Sequence, residues 1–368
     1  MMVEVRVVGS SMYKIDRHYN LGLRDLAVAV VQELKSKLKE FVKPDVVLVA
    51  NAYGEAVNHQ LVLAGKLATY LGLTSTALRV EAGDGSGGSA IFTAYSLLKA
   101  GIAKTALILG VEKLSDYPSK YLNEALSYNL DEEYSYQSGL VPHVYAALLM
   151  KAYMKKYNVD YSYFANWSIA MHSNAVENPY AYLRFPANMN AIISSQVIAE
   201  PLRLFDIGAR GDGAAAVYLA TDEISSKISD EYSKIEYVTG SSSDIDFVPG
   251  LPAVRSIGLE AKDLLKQAEL AEIHDSYSIM AALQLEELGL AEYGKSLKSL
   301  DSLIPINYSG GLKARGYPGG ATGVYQLAEV HQQLVGEFKG KRVSGAERGF
   351  VLSTDDLSRS AYLVYVRR

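Results

Sequence analysis

The sequence predicts an α/β protein made of one strand–helix unit, an interruption, and a second unit of similar build. Three observations predict it. Apolar runs of strand length alternate with amphipathic helical runs up to about residue 115; the alternation stops between about 116 and 200; it returns at "AAAVYLAT" (214–221) and continues to the C-terminus. Alternation of this kind builds a parallel sheet with helices on both faces.

The elements follow in order. "VEVRVVGSSM" reads as the first strand and turn, with Met1 and Met2 leading into it. Residues 22–41 carry apolar side chains at helical spacing with charges between them. "DVVLVAN" (45–51) is a buried strand, 60–72 a helix, "ALRVEA" (77–82) a strand, 88–100 a small-residue helix, and "TALILGVEKL" (105–114) another buried strand. The Tyr-, Asn- and Ser-rich stretch 116–199 reads as an inserted helical domain. The second series runs as a strand at 233–242, a helix at 258–268, strand and turn at 270–278, and a helix at 278–288. It ends with a strand around 303–308, a helix from about 320 to 337, and "SAYLVYVRR" as the last strand. The expected division is 1–115 plus 200–228, then 116–199, then 229–368.

With 368 residues, nearly half of them apolar, the chain is long enough for two or three domain-sized units. A net charge of −5 without a dense Lys/Arg stripe argues against nucleic acid as the partner. The absence of cysteine excludes disulfides, thiolate metal sites and a cysteine nucleophile. The six histidines are scattered, without HxxxH or HExxH spacing, so no metal site is expected. No apolar run approaches the roughly 18 residues of a membrane span, and the N-terminus lacks a basic, then apolar, leader. The expected location is the cytoplasm.

Three corners stand out, two of them rich in glycine. In "VEAGDGSGGSA" (80–90) Asp84 lies between Gly83 and Gly85 where a strand gives way to a helix, followed by Ser86. Free N–H groups at such a helix start hold anions, and glycines let a ligand approach the backbone. By motif alone Asp84 is a helix N-cap, and the segment fits neither GxGxxG nor a Walker loop. The second corner, "EIHDSYS", puts His274, Asp275 and Tyr277 at a strand's carboxyl end, the edge at which α/β sheets bind ligands. The third, "NYSGGLKARGYPGGATG" (307–323), packs six glycines and a proline into 17 residues, with Gly310, Gly311 and Gly316 ahead of Tyr317. That density implies backbone threading past something. Asp212 and Gly213 read as a turn before a strand, and His172 and Asn174 as a surface helix face with pocket lining as the alternative.

In this order the corners resemble the thiolase superfamily over nearly the whole chain, in its archaeal acetyl-CoA acetyltransferase-like and sterol-carrier-protein-x thiolase branch. "VEAGDGSGGSA" is similar to that family's VExxCxSG corner, and "AEIHDSYS" to its HDCF-type segment. "NPYAYLRFP" with "IAEPLRLFDIGARGDGAAAVYLA" resembles the exit of its loop domain, and "INYSGGLKARGYPGGATGVYQLAE" its NxxGGxxxxGHPxGATG segment. The resemblance implies a thiolase fold: two similar α/β halves in five layers (α-β-α-β-α) with an inserted loop domain. It also implies a homodimer, a coenzyme A thioester as ligand without covalently bound cofactor, and a place in lipid metabolism.

The departures from the family pattern are chemical. Where the family carries its acyl-accepting cysteine, this chain has Asp84; where a histidine activates that cysteine, it has Tyr317. The second family cysteine falls near "LSTDDLSRSAY", in which Asp355 or Asp356 fills the acid/base slot. Among these positions His274 keeps the family's residue type. A carboxylate is a poor nucleophile toward a thioester, so acyl-enzyme chemistry is expected to fail. Three functions follow from the resemblance. The first is a non-covalent acyl-CoA-binding subunit. The second is a retro-aldolase on β-hydroxyacyl-CoA, in which a Tyr317 phenolate is the base, Tyr277 a second tyrosine, and a small OB-fold/zinc-ribbon protein the partner. The third is a decarboxylating role.

Overall fold

The computed structural model describes residues 3–243 and 250–368; Met1 and Met2, read with the first strand, lie outside the described residues. The first series gives β1 (Val5–Met12), α1 (Leu23–Lys37), β2 (Val46–Ala50), α2 (Leu63–Tyr70), β3 (Thr76–Val80), α3 (Ser86–Lys99) and β4 (Thr105–Glu112). The interrupting stretch holds α4 (Ser119–Ser127), α5 (Pro142–Tyr157), α6 (Ser162–Ala175), α7 (Met189–Ile193) and the short strands β5 (Val197–Ala199) and β6 (Leu202–Arg203). Then come β7 (Gly213–Thr221), α8 (Asp222–Ile228), β8 (Ser233–Ser242), α9 (Pro252–Glu260), α10 (Lys262–Leu265), β9 (Leu270–Ile273) and α11 (Ser278–Glu287). The chain closes with α12 (Thr322–Val335), β10 (Arg348–Thr354) and β11 (Ser360–Arg367).

Nine strands form one sheet in the order β3-β2-β4-β7-β1-β8-β11-β10-β9. Outward from the β1/β8 seam, each half places its first strand innermost, its last strand next, and its earlier strands outside. The sequence thus repeats a topology, mirrored across the seam. The sheet is mixed, not parallel as expected: β2 runs parallel to β3 and β4, but β7 returns antiparallel to β4 and β1. A strand that returns after a long inserted stretch is not bound to the helical crossover that makes neighbours parallel.

Burial explains the layering. One core lies under α1, α2 and α8 on the outer face of the first half. A second core holds α3 and α12, which touch strands of both halves, and a third lies under α5, α6, α9 and α11. At the centre α3 and α12 meet backbone to backbone: a Cβ on Gly87 would lie 2.6 Å from the Gly323 Cα. The small-residue helix of the sequence is therefore small because another helix crosses it.

Two other expectations change. The strand around 303–308 contracts to a single bridge between Ile306 and Ala271. Pro305 has no N–H to give, and Asn307 turns away with φ of 49°. The helix expected at 258–268 starts instead at Pro252, whose fixed φ suits a first turn, and breaks at Ala261. Strand β10 was not anticipated. Among the described residues no helix is long and apolar enough to cross a membrane.

Candidate functional site

All three corners deliver side chains to one buried cluster. Asp84 precedes α3 but does not cap it: Gly85 holds the cap position without a side-chain bond. Gly83 adopts φ of 57°, which turns the Asp84 carboxylate inward. There Oδ2 accepts from the Tyr53 hydroxyl at 2.8 Å and Asn129 Nδ2 at 3.2 Å, while Oδ1 faces Arg210 Nη1 at 3.4 Å. Ser86 turns back on its own loop, donating to the Gly83 carbonyl and accepting from Ala82 N at 3.0 Å.

Tyr317 enters from the third corner. Its backbone N–H donates to Ala209 O at 2.8 Å, which lays its ring beside Arg210. The guanidinium lies 4.1 Å from the ring centroid and donates to Asp356 Oδ2 at 2.5 Å. The Tyr317 hydroxyl donates to Asp356 Oδ1, and His274 Nε2 lies 3.1 Å from the same hydroxyl. Since the phenol has one proton and Asp356 receives it, His274 must donate from Nε2. Its Nδ1 is then a bare acceptor, and it has no partner among the described residues. Burial, then Arg210, hold this imidazole well below its usual pKa, hence neutral.

The electrostatics revise two expectations. Burial, then Asp356, push the Asp84 carboxyl up to about 6, against the opposing pull of Arg210. A helix start does not keep it firmly ionised. Burial, then Asp356 and Asp84, drive the Tyr317 phenol well above its usual value, so no phenolate rests there. Tyr317 can still relay a proton, accepting at its oxygen while passing its own to Asp356.

The remaining candidates sort by contact. Tyr277 is buried and pairs with His143 Nδ1 at 2.9 Å. Asp275 points elsewhere, accepting from Trp167 Nε1, Asn307 Nδ2 and Leu312 N at 2.7–2.9 Å. Gly311 makes room for that carboxylate, which a Cβ would meet at 2.5 Å; Gly310 turns over Ala175 and Gly316 over Ile15. Of the two C-terminal acids, Asp356 joins the cluster. Asp355 instead closes the β10–β11 turn, accepting from Leu357 N and Ser360 N. Asp212 is more than a turn residue: it binds Lys113, Leu114 N and Ser115 N, and its neighbour Gly213 starts β7 against Tyr325. His172 and Asn174 are buried, not on a surface face, because α6 packs under the 307–315 segment.

A cavity of about 860 Å³ opens above this cluster, lined by Arg210, His143, His172, Lys313, Phe185 and Phe205 among others. Arg210 and His143 face it; Asp84, His274 and Tyr317 lie behind Arg210 and are not part of its wall. Arg17 and Lys313 give the wall a cationic character suited to a phosphate-bearing ligand with an apolar arm. Arg210, Tyr53, Asn129 and His143 were not singled out in the sequence. Arg210 alone left a trace there, the glycines of "GARGDG", of which Gly208 lets its segment pass so near Tyr317.

Comparison with known proteins gives a consistent picture. The family profile for the thiolase N-terminal domain matches residues 5–200, and that for the thiolase C-terminal domain-like region matches 250–366. An acetyl-CoA acetyltransferase of Methanothermobacter thermautotrophicus is 30% identical over 367 residues, covering 95% of each chain. Among solved structures, the Ltp2-ChsH2(DUF35) aldolase superposes with a TM-score of 0.82 at 17% identity, covering 99% of this chain and 97% of that one. Human mitochondrial 3-ketoacyl-CoA thiolase in complex with CoA gives 0.79 at 16% identity, covering 100% and 98%.

Proposed function

This chain belongs to the thiolase superfamily, and we propose that within it the protein binds a coenzyme A thioester without forming an acyl-enzyme, as a non-covalent acyl-CoA-binding subunit. One observation carries this reading. At the corner that resembles the family's nucleophile site, both carboxylate oxygens of Asp84 are engaged, by Tyr53, Asn129 and Arg210, and no thiol exists anywhere in the chain. Attack by Asp84 would give a mixed anhydride and a free thiolate, a product more reactive than the starting thioester. The binding half of the proposal draws on the cavity and on the thiolase relative solved with CoA. Calorimetry with CoA and acetyl-CoA, and intact mass afterwards, test it together. Stoichiometric binding with an unchanged protein mass is expected; an acylated protein, or thiolysis of acetoacetyl-CoA, would overturn it.

A second reading is favoured by the Asp356–Tyr317–His274 chain of hydrogen bonds and by the structural likeness to the Ltp2-ChsH2(DUF35) aldolase. In a retro-aldol cleavage of a β-hydroxyacyl-CoA the hydroxyl proton passes to Tyr317 as Tyr317 passes its own to Asp356. The Cα–Cβ bond breaks, a ketone or aldehyde leaves, and the electron pair forms a thioester enolate that is protonated at Cα. Arg210 must swing off Tyr317 for this to occur. A small DUF35-type protein is the partner this reading adds. In both readings the protein is a homodimer: β3 is an edge strand with Leu78 47% exposed, a strand edge open to pairing with a second copy.

A further inference from the structure

His143 is the second residue of α5, after Pro142, and stands half-buried in the cavity wall. Its Nδ1 lies 2.9 Å from the Tyr277 hydroxyl, with the two rings edge to face at 5.8 Å. Tyr277 is 1% exposed, and among the described residues its hydroxyl has no other partner. Two arrangements of protons fit this pair. If Nδ1 donated to the phenol oxygen, the phenol's own hydrogen would be stranded in the interior, which is costly. If the Tyr277 hydroxyl donates to Nδ1, no hydrogen is stranded there. The ring proton then sits on Nε2. Burial, then Arg210, push the imidazole down to about 4, so the ring is neutral at pH 7.

The fold sets this Nε2–H beside the three corners. Tyr277 pairs backbone to backbone with Ile207, three residues ahead of Arg210. Arg210, behind which Asp84, His274 and Tyr317 lie, shares the cavity wall with His143. The neighbouring donors are committed. Arg210 holds Asp84 and Asp356 through its terminal nitrogens, and His274 gives its Nε2–H to Tyr317. His143 Nε2 meets no acceptor among the described residues. It is a neutral donor with a fixed direction, and a neutral acceptor suits it. A phosphate or carboxylate is drawn to the charges of Arg17 and Lys313 in the same wall. The neutral acceptor that a thioester carries next to its sulfur is its carbonyl oxygen.

We propose that His143 Nε2–H donates to the carbonyl oxygen of the bound thioester, and that Tyr277 is the positioning residue that holds the ring in this tautomer. The proposal rests on the CoA-thioester reading and adds a discrimination to it: an acyl-CoA is preferred over a CoA derivative without the carbonyl. On the retro-aldol reading the same N–H faces the oxygen on which enolate charge collects.

The whole chain is titrated by calorimetry with acetyl-CoA and with S-ethyl-CoA, which keeps the two-carbon group and lacks the carbonyl oxygen. Neither two-carbon group bears a hydroxyl, so the difference in affinity reads the carbonyl. The carbonyl resonance of [1-¹³C]acetyl-CoA is followed in the complex, and ¹⁵N-histidine labelling gives the ligand-free tautomer of His143. Nε2 is expected to be protonated and Nδ1 bare. Acetyl-CoA is expected to bind about tenfold tighter than S-ethyl-CoA, the worth of one hydrogen bond, with its carbonyl resonance moved downfield. His143→Phe brings the affinity ratio to about one and reverses the shift. Tyr277→Phe lowers the ratio and returns part of the ring proton to Nδ1, a change that loss of packing alone would not produce. Equal affinities of the wild type for the two ligands overturn the contact and spare the CoA reading; that readout needs no variant to fold. A proton on Nδ1 in the wild type, or a preference that survives in His143→Phe, overturns the contact as well. If the wild type binds neither ligand, both readings fall.

Discussion

The guanidinium of Arg210 covers the ring of Tyr317 at 4.1 Å and ties Asp356 at 2.5 Å, so one cation both roofs the phenol and neutralises the acid that the phenol bonds. Its other side faces Asp84. Two buried carboxylates thus depend on one cation. Removing one partner of a buried ion pair leaves the other uncompensated, at about 3–5 kcal/mol. Arg210→Met is therefore expected to lower stability by that order at pH 7, read as the shift in denaturant midpoint, and by less at pH 5, where Asp84 takes up a proton. An unchanged midpoint at pH 7 would contradict the electrostatic account of the cluster.

Asp84 itself makes stability pH-dependent. Its folded pKa, about 6, lies above the unperturbed 3.8. For a carboxyl raised in this way the folded state holds the proton more tightly. The stabilisation is complete below about pH 4 and is lost as pH rises through 6. Over that window the wild type loses on the order of 3 kcal/mol from this group. Asp84→Asn, which keeps the acceptor for Tyr53 and Asn129, removes the loss. Its stability relative to wild type is expected to climb between pH 4 and 7 and then level off, measured by urea unfolding at each pH.

Much of this was legible in the sequence, and the parts that were not have physical causes. Buried strands such as Val46–Ala50 and Thr105–Glu112 announce themselves because both faces are covered and no polar residue interrupts them. Strand β10 was missed although all but its first residue are buried; α3 crosses beneath it, where a Cβ on Gly88 would lie 2.7 Å from the Ser353 Cβ. Asp84 and Tyr317 were visible because glycines cluster where backbones converge, and His274 because it follows directly on the end of a buried strand. Arg210 and Asn129 were not, since their roles arise from contacts 126 and 45 residues from Asp84, which no local pattern encodes. Asp355 and Asp356 are adjacent in sequence, and nothing but their opposite side-chain directions separates a turn-closing acid from a site acid.

The crossing of α3 and α12 is the tightest point between the layers. A methyl group on Gly87 would meet the Gly323 Cα and N at 2.6 Å, both backbone atoms that cannot rotate aside. Gly87→Ala is expected to destabilise by about 1–3 kcal/mol through overpacking, although alanine is the better helix former. A thermal melt reads the sign: any gain in midpoint would mean that the helices are free to separate.

Tyr317→Phe separates the two functional readings. The ring, its contact with Arg210 and the cavity wall all remain, while Asp356 Oδ1 loses a donor and the His274 Nε2–H loses its acceptor. Stranding buried polar groups costs roughly 1–3 kcal/mol, so a modest drop in stability is expected on either reading. The chemistry differs. A binding subunit keeps its CoA-thioester affinity within about twofold, since Tyr317 is not part of the cavity wall, and neither wild type nor variant releases a product. A retro-aldolase releases ketone or aldehyde from a β-hydroxyacyl-CoA as wild type and loses that release in the variant, because this reading sends the hydroxyl proton through Tyr317 to Asp356. Carbonyl release that survives in Tyr317→Phe would move the base elsewhere, to the cavity-facing His143–Tyr277 pair.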